Sequence, residues 1–292
     1  MLKVSHAGIA TILCMVFLTG CAAPAQPTAS NTAQTTPRQG FVIAGSGVNL
    51  PLMRQLAIAY EAKQPAEKIS IPDSIGSAGA IKAILDKGIH LGLISRPLHE
   101  QEKAVGLKQI QYARSVVIIA VHPSVQVDTI SVADLLAIYD GNKRQWPDGK
   151  NVIPQLMYKD DTVNGILTKK IKGFASVLDE AVRNHYWQIH YNDLSMARAV
   201  ASMPGSIGFS DSSWSSSSQE KLKALQLDGI SPTAENILSG NYQLERGMYF
   251  VYQEPLNPRV KEFIDFVFSP EGRQIIKTAQ IIPVPRINDG TH

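Results

Sequence analysis

Phe41-Val42-Ile43-Ala44-Gly45-Ser46-Gly47-Val48-Asn49-Leu50 reads as a short apolar run that breaks at a Gly/Ser turn, with a helical pattern following at once. From Leu50 to Lys63 the apolar residues Leu52, Leu56 and Ala59 recur on one helical face. The unit of strand, turn and helix then returns. Lys68 to Pro72 predicts a strand, Ile75-Gly76-Ser77 a turn, Ala78 to Lys87 a helix, and Leu91 to Ile94 a further strand ending in Ser95-Arg96-Pro97. Such alternation predicts an α/β fold, with a parallel or mixed sheet covered on both faces. Ligands of these sheets collect at the carboxyl ends of strands, which is where the Ser/Gly turns fall.

Further along, Ser115 to Val121 is almost continuously apolar, as expected of a buried central strand. Ile130 to Tyr139 predicts a helix opened by Ser131, Asn151 to Met157 a strand, and Val163 to Phe174 a helix. Two more helices are expected around Asp179 to Tyr186 and Asp193 to Ala201, then a short strand from Ser206 to Phe209 and a Ser-rich loop from Ser212 to Ser218. A strand at Met248 to Tyr252 and helices at Pro258 to Phe268 and Pro270 to Ala279 complete the pattern. No repeat of solenoid period is present, and no run after the first twenty residues is long and apolar enough to span a bilayer.

The amino-terminal segment reads as an export signal. Lys3 precedes an apolar run from Ala7 to Leu18, too short for a membrane span, and Leu18-Thr19-Gly20-Cys21 resembles the lipobox of bacterial lipoproteins. The expectation is cleavage before Cys21, acylation of its thiol, and a lipid anchor in the bilayer on the periplasmic or extracellular face. The alternative is an ordinary secretory signal cut near Ala22 or Ala23. Ala22 to Gln39 is rich in Ala, Pro, Gln, Thr, Ser and Asn and predicts a disordered tether. Of the two cysteines in the 292 residues, Cys14 leaves with the signal, so disulfide chemistry is excluded from the body. The net charge of +3, with Lys and Arg scattered, argues against a nucleic-acid partner.

The turns point to anion chemistry on physical grounds. A helix N-terminus offers backbone N–H groups without intrahelical acceptors and about half a positive charge, and Gly/Ser turns aim such groups and a hydroxyl at one small anion. Ser46 with Gly47, Ser77 and Ser95 stand at three such turns. The competing reading of each serine is a plain helix cap.

Several segments together resemble the phosphate-type solute-binding proteins of ABC importers, over nearly the whole body from Gly40 to Pro285. They are Gly45-Ser46-Gly47-Val48, Gly76-Ser77-Ala78-Gly79, Ile94-Ser95-Arg96-Pro97, Ile130 to Gly141 with Trp146-Pro147-Asp148-Gly149, Ser239 to Arg246, and Phe263 to Gly272. The resemblance implies a two-lobed periplasmic-binding-protein type II fold, the chain crossing twice between lobes near Tyr112 to Ser115 and Phe209 to Asp211. Lobe one would comprise 40–113 and 211–292, and lobe two 114–210. It also implies a monomer that delivers a small anion to an ABC permease, with no cofactor, and ligand contacts from Ser46, Gly47, Val48, Asn49, Ser77 and Ser95.

In lobe two the pattern departs from the family. The resemblance implies an Arg and a Ser-Gly-Thr turn, whereas the corresponding stretch is Met157-Tyr158-Lys159-Asp160-Asp161-Thr162-Val163-Asn164-Gly165. Ser95 also stands where the family has an aspartate. Lys159 and Arg96 are the candidate cations, Thr162 a candidate hydroxyl, and Asp160 and Asp161 would repel a dianion. The expected ligand is therefore a small oxyanion other than phosphate, or phosphate held differently, and the alternative function is a sensory or accessory lipoprotein that has lost transport.

Enzyme chemistry finds no anchor. Ser218-Gln219-Glu220-Lys221 matches Ser-x-x-Lys but lacks a Lys-Thr-Gly companion, and no Gly-x-Ser-x-Gly elbow occurs. His185 and His190 are five apart, and His-Glu-x-x-His is absent, so no zinc site is expected. Trp146 is expected to pack its loop, and Tyr186, Trp187 and Tyr191 to form lobe-two core or hinge packing.

Overall fold

The computed structural model describes residues 40–217 and 221–286. The apolar leader, Cys14, Cys21, the segment 22–39 and Ser218 to Glu220 lie outside them.

The opening unit folds as read. Strand β1 (Phe41–Gly45) leads through a 3-10 turn (Gly47–Asn49) into α1 (Leu50–Lys63), with Pro51 in the first helical turn, where its missing N–H costs nothing. Gly45 is required there: a Cβ would lie 2.0 Å from the Leu93 carbonyl oxygen. Next come β2 (Ile69–Ser70), shorter than expected, then α2 (Gly76–Leu85), β3 (Leu91–Ile94) and α3 (Glu100–Ala104). Strand β4 (Leu107–Val121) has 15 residues, twice the apolar run. Its first half carries exposed Lys108 and half-buried Gln109, Gln111 and Arg114, so only its second half shows as apolar.

Then follow β5 (Thr129–Ile130), α4 (Val132–Tyr139), β6 (Ile153–Met157), α5 (Thr162–Lys170), α6 (Phe174–Arg183), β7 (Gln188–His190), α7 (Asp193–Ser202) and β8 (Ser206–Asp211). Ser131 caps α4, its Oγ accepting from the Asp134 N–H at 3.0 Å. The helix expected from Val163 to Phe174 ends at Lys170 as α5, and the one expected around Asp179 to Tyr186 begins earlier, at Phe174, as α6, since Gly173 at φ 96° turns the chain left-handed between them. The last elements are α8 (Ser212–Ser217), β9 (Lys223–Leu227), α9 (Ala234–Leu238), β10 (Glu245–Gln253), α10 (Pro258–Phe268), α11 (Pro270–Thr278) and β11 (Ile282–Pro283).

The strands run in the order β2-β1-β3-β10-β4-β8-β6-β7. β1 is parallel to β2 and β3, β10 is antiparallel to β3 and β4, and β6 is parallel to β7 and β8. Two main cores divide this order. One joins Phe41, Leu52, Leu56, Tyr112, Phe250, Phe263 and their neighbours. The other holds Val117 to Val121 with Tyr139, Phe174 and Phe209, whose rings pack at 5.4–6.0 Å. The molecule is two-lobed, and β4 passes from one core to the other.

Two expectations are corrected by this packing. Assigning all of 211–292 to lobe one fails, because Leu225, Ile237, Tyr242 and Leu244 belong to the second core and β9 pairs with β4 at Ile119 to Val121. Only from β10 onward do Met248, Phe250, Val260 and Phe263 return to the first core. The Ser-rich loop begins as helix α8. Serine competes for backbone hydrogen bonds and disfavours helix, but here Ser213 Oγ donates to the Val48 carbonyl at 3.2 Å and Ser212 Oγ to the Gln280 carbonyl at 3.2 Å. Trp146 packs its loop as expected, 5% exposed, with its indole N–H donating to Gly205 O at 2.8 Å.

Candidate functional site

A cleft of about 420 Å³ opens where the carboxyl ends of β1 and β3 and the start of α2 meet the loops that follow β6 and β7. Ser95, just after β3, is its hub. Its hydroxyl accepts from Ser46 Oγ at 3.1 Å, lies 3.3 Å from Ser77 Oγ, and reaches across to Thr162 Oγ1 at 3.4 Å. Its amide donates to Ser77 Oγ at 3.2 Å. Three turns of lobe one and one of lobe two thus bring four hydroxyls together. The capping alternative does not describe these serines: Ser46 makes no side-chain cap bond, Ser77 lies inside the first turn of α2, and no helix starts at Ser95.

Gly47 also lines the cleft, and a Cβ there would come within 2.8 Å of Asp193 Oδ2 from the other lobe. Val48 and Asn49 are fully buried and do not line it. Asn49 instead accepts from the Tyr112 hydroxyl at 2.6 Å, and the Val48 carbonyl accepts from Ser213.

The two expected cations are committed elsewhere. Lys159 is absent from the cleft wall and its ammonium meets Asp179 at 2.8 Å on the surface. Arg96 lies at the cleft, but its guanidinium is held in a fork by Glu102 at 2.7 and 2.8 Å. That fork, aided by the His99 amide, holds the Glu102 carboxyl below its usual range. Thr162 opens α5, and the cap itself is Asp161, whose Oδ1 accepts from the Val163 N–H at 2.8 Å.

Arg246, which sequence reasoning passed over, is the buried cation beside the cleft. It stands on β10 opposite Ser115 of β4, 2% exposed. Its guanidinium lies 3.3 Å from Asp193 Oδ1 and 3.4 Å from Asp211 Oδ2, and Asp211 Oδ1 accepts from Ser115 Oγ at 2.5 Å. Asp193 in turn lines the cleft. The sequence carried no local signal, since Arg246 stands between Glu245 and Gly247 at the polar start of β10, ahead of the apolar run from Met248 to Tyr252. Its partners lie 35 and 53 residues away, beyond any local pattern.

Burial raises two carboxyls here, those of Asp211 and Asp161. Complete desolvation lifts Asp211 to about 6 against the opposing pull of Arg246, and desolvation likewise raises Asp161. The folded state therefore holds a proton on Asp211 in a range where the unfolded chain has lost it. The stability this contributes is full below about pH 4 and lost as pH rises through about 6. Thermal midpoints of the wild type and of Asp211→Asn, followed from pH 4 to 8, should show the wild type losing ground to the variant across that window and holding a constant offset above it. A constant offset throughout would contradict the raised pKa.

Tyr158 and Tyr191 form an aromatic lip on the cleft, stacked at 5.9 Å with 17° between planes. Lobe-two core or hinge packing was expected of Tyr186, Trp187 and Tyr191; the core half of that expectation fails for Tyr191, 75% exposed, and Tyr186, 43% exposed, since both sit on loops beyond the sheet. Trp187 does pack, its N–H donating to Tyr139 O at 2.8 Å. Among the described residues no metal-binding group of His, Cys, Asp or Glu occurs, and no helix is long and apolar enough to cross a membrane.

Known proteins share this architecture. The phosphate-binding protein PstS of Bacillus subtilis is 24% identical over 250 residues, covering 84% of this chain and 80% of that protein. PstS of Pseudomonas aeruginosa is 23% identical over 275 residues, 82% of each chain. A candidate phosphate ABC transporter substrate-binding protein from Clostridium perfringens, solved with bound phosphate, superposes with a TM-score of 0.74 at 25% identity over 84% of this chain and all of that one. The PBP superfamily domain matches residues 26–271, most of the sequence, and on that span the chain belongs to this family of PBP superfamily domains.

Proposed function

We propose that this chain is a solute-binding protein that captures a small oxyanion of the phosphate class between its lobes and presents it to an ABC permease. The observation that carries the reading is the convergence of the Ser46, Ser77, Ser95 and Thr162 hydroxyls at the starts of α2 and α5. The first-turn amides of α2 lack intrahelical acceptors, so an anion bound there meets oriented donors and a helix dipole, whereas at α5 the Val163 amide is already taken by the Asp161 cap and Thr162 contributes its hydroxyl. Ser95 and Thr162 come from different lobes, so a ligand held by both favours the closed form over the open one. The names of the relatives support the same class of solute.

Capture is a binding task, and the chain works without a cofactor, as a monomer. The Leu18-Thr19-Gly20-Cys21 motif supports a lipid anchor at Cys21, and the polar composition of 22–39 supports a tether that leaves the lobes free to move.

Calorimetric titration of the full chain with inorganic phosphate is expected to give one site per chain. At a hundred times the Kd, the ligand should raise the thermal midpoint by about 5–10 °C, from about 2.7 kcal/mol of linkage. No heat and no shift with phosphate, phosphate esters, sulfate or small carboxylates would reject the reading.

A further inference from the structure

We infer that the ligand is an organic oxyanion bearing an ammonium group, a phosphate monoester or phosphonate with an amino or quaternary ammonium substituent. This rests on the oxyanion reading above and names the substrate class of the same cleft. Three independent features of the cleft lead to it.

The first is size. The lobes already touch at Ser95 and Thr162, 3.4 Å apart, and yet about 420 Å³ remains between them. Cavities of roughly 300–1,000 Å³ hold organic small molecules, and at about 30 Å³ per water a five-atom inorganic ion fills only a small part of this one.

The second is the aromatic lip. Hydroxyls and helix ends suffice for a tetrahedral anion, which makes no use of a ring face. Tyr158 and Tyr191 nevertheless stack side by side on the cleft, and Tyr191 keeps 75% of its surface open. An electron-rich ring face in that setting receives a cation or the methyl groups of a quaternary ammonium.

The third is the charge balance. Arg246 offsets Asp193 and Asp211, and Arg96 is taken by Glu102. Asp160 and Asp161 line the cleft beside the tyrosine pair and form no ion pair among the described residues. For a bare dianion these two carboxylates are a repulsion that Arg246, already shared between Asp193 and Asp211, offsets only in part at Asp161 and leaves standing at Asp160. For a zwitterion they are the second half of the site: the oxyanion sits on Ser46, Ser77, Ser95 and Thr162, and the ammonium group sits among Asp160, Asp161 and the two rings.

The test is a set of calorimetric titrations of the full chain at pH 7 with four probes: phosphocholine, phosphoethanolamine, glycerol 3-phosphate and inorganic phosphate. The two ammonium-bearing esters are expected to bind about ten- to a hundredfold more tightly than glycerol 3-phosphate, which matches them in size without the cation. Asp160→Asn and Tyr191→Ala, both at the solvent-exposed lip, should each shrink that ratio at least threefold. If inorganic phosphate or glycerol 3-phosphate binds as well as the ammonium esters, the zwitterion inference falls and the oxyanion reading stands. If none of the four binds, the zwitterion inference falls, and the oxyanion reading falls with it once sulfate and small carboxylates also give no heat. A ratio that survives both substitutions would also overturn the inference, since the preference would then come from elsewhere in the cleft.

Discussion

Arg246→Met is expected to destabilise the folded chain by about 3–5 kcal/mol, because it leaves the fully buried Asp211 carboxylate without its cation. Methionine fills much of the same length without charge, so the loss reports electrostatics more than a cavity. Asp193 loses its partner as well, but it stands at the cleft and regains water. Urea unfolding followed by tryptophan fluorescence measures the loss as a drop in midpoint. The second arm is Arg246→Met with Asp211→Asn, which removes both charges and should recover a large part of the stability, since a buried pair replaced on both sides is often close to neutral. A loss under about 1 kcal/mol, or no recovery in the double variant, would mean that the pair is hydrated or that Asp211 is already neutral when the cation is absent.

Ser95→Ala is expected to weaken binding of inorganic phosphate, or of whichever oxyanion the titrations select, by about 10- to 150-fold. That is the worth of one hydrogen bond to a charged ligand, about 1.5–3 kcal/mol. Ser95 is singled out because its Oγ alone lies within 3.4 Å of the Ser46, Ser77 and Thr162 hydroxyls, so its loss unties both lobes from the shared centre. The unliganded fold should survive, as Ser46 and Ser77 retain room to bond each other or water. Calorimetry gives the affinity, and a thermal midpoint without ligand serves as the control. An affinity within threefold of wild type would make the hub a structural knot between the lobes and move the anion to the helix ends alone.

The elements closest to local rules were legible from the residues. β1, α1 and β3 followed from an apolar run, a Gly/Ser break and a 3.6-residue period, and Ser131 marked the start of α4 by its capping bond. The three serine turns of lobe one were legible for the same reason, and the structure gathers them into one network. What escaped was long-range. The hydrophilic half of β4 becomes strand only because β10 pairs along it, and α8 becomes helix because its serines bond Val48 and Gln280. Segment 222–244 went to the second core because β9 found β4, a choice made by pairing and not by sequence order.

The cations of the site divide along the same line. Lys159 and Arg96 were picked for their nearness in sequence to the expected turns, but each found a carboxylate, twenty and six residues away respectively, and was neutralised by it. Arg246 acquired its place from strand register, opposite Ser115, with Asp193 and Asp211 brought to it from lobe two and the crossing. Period, turn and cap are properties of a few neighbouring residues, so this chain writes its α/β units and serine turns directly. Charge partners and the faces that meet across a cleft depend on how two separately packed cores come together. The buried arginine's pairing with Asp193 therefore exists only once the lobes have assembled, and the aromatic lip only once β6 and β7 have paired within lobe two.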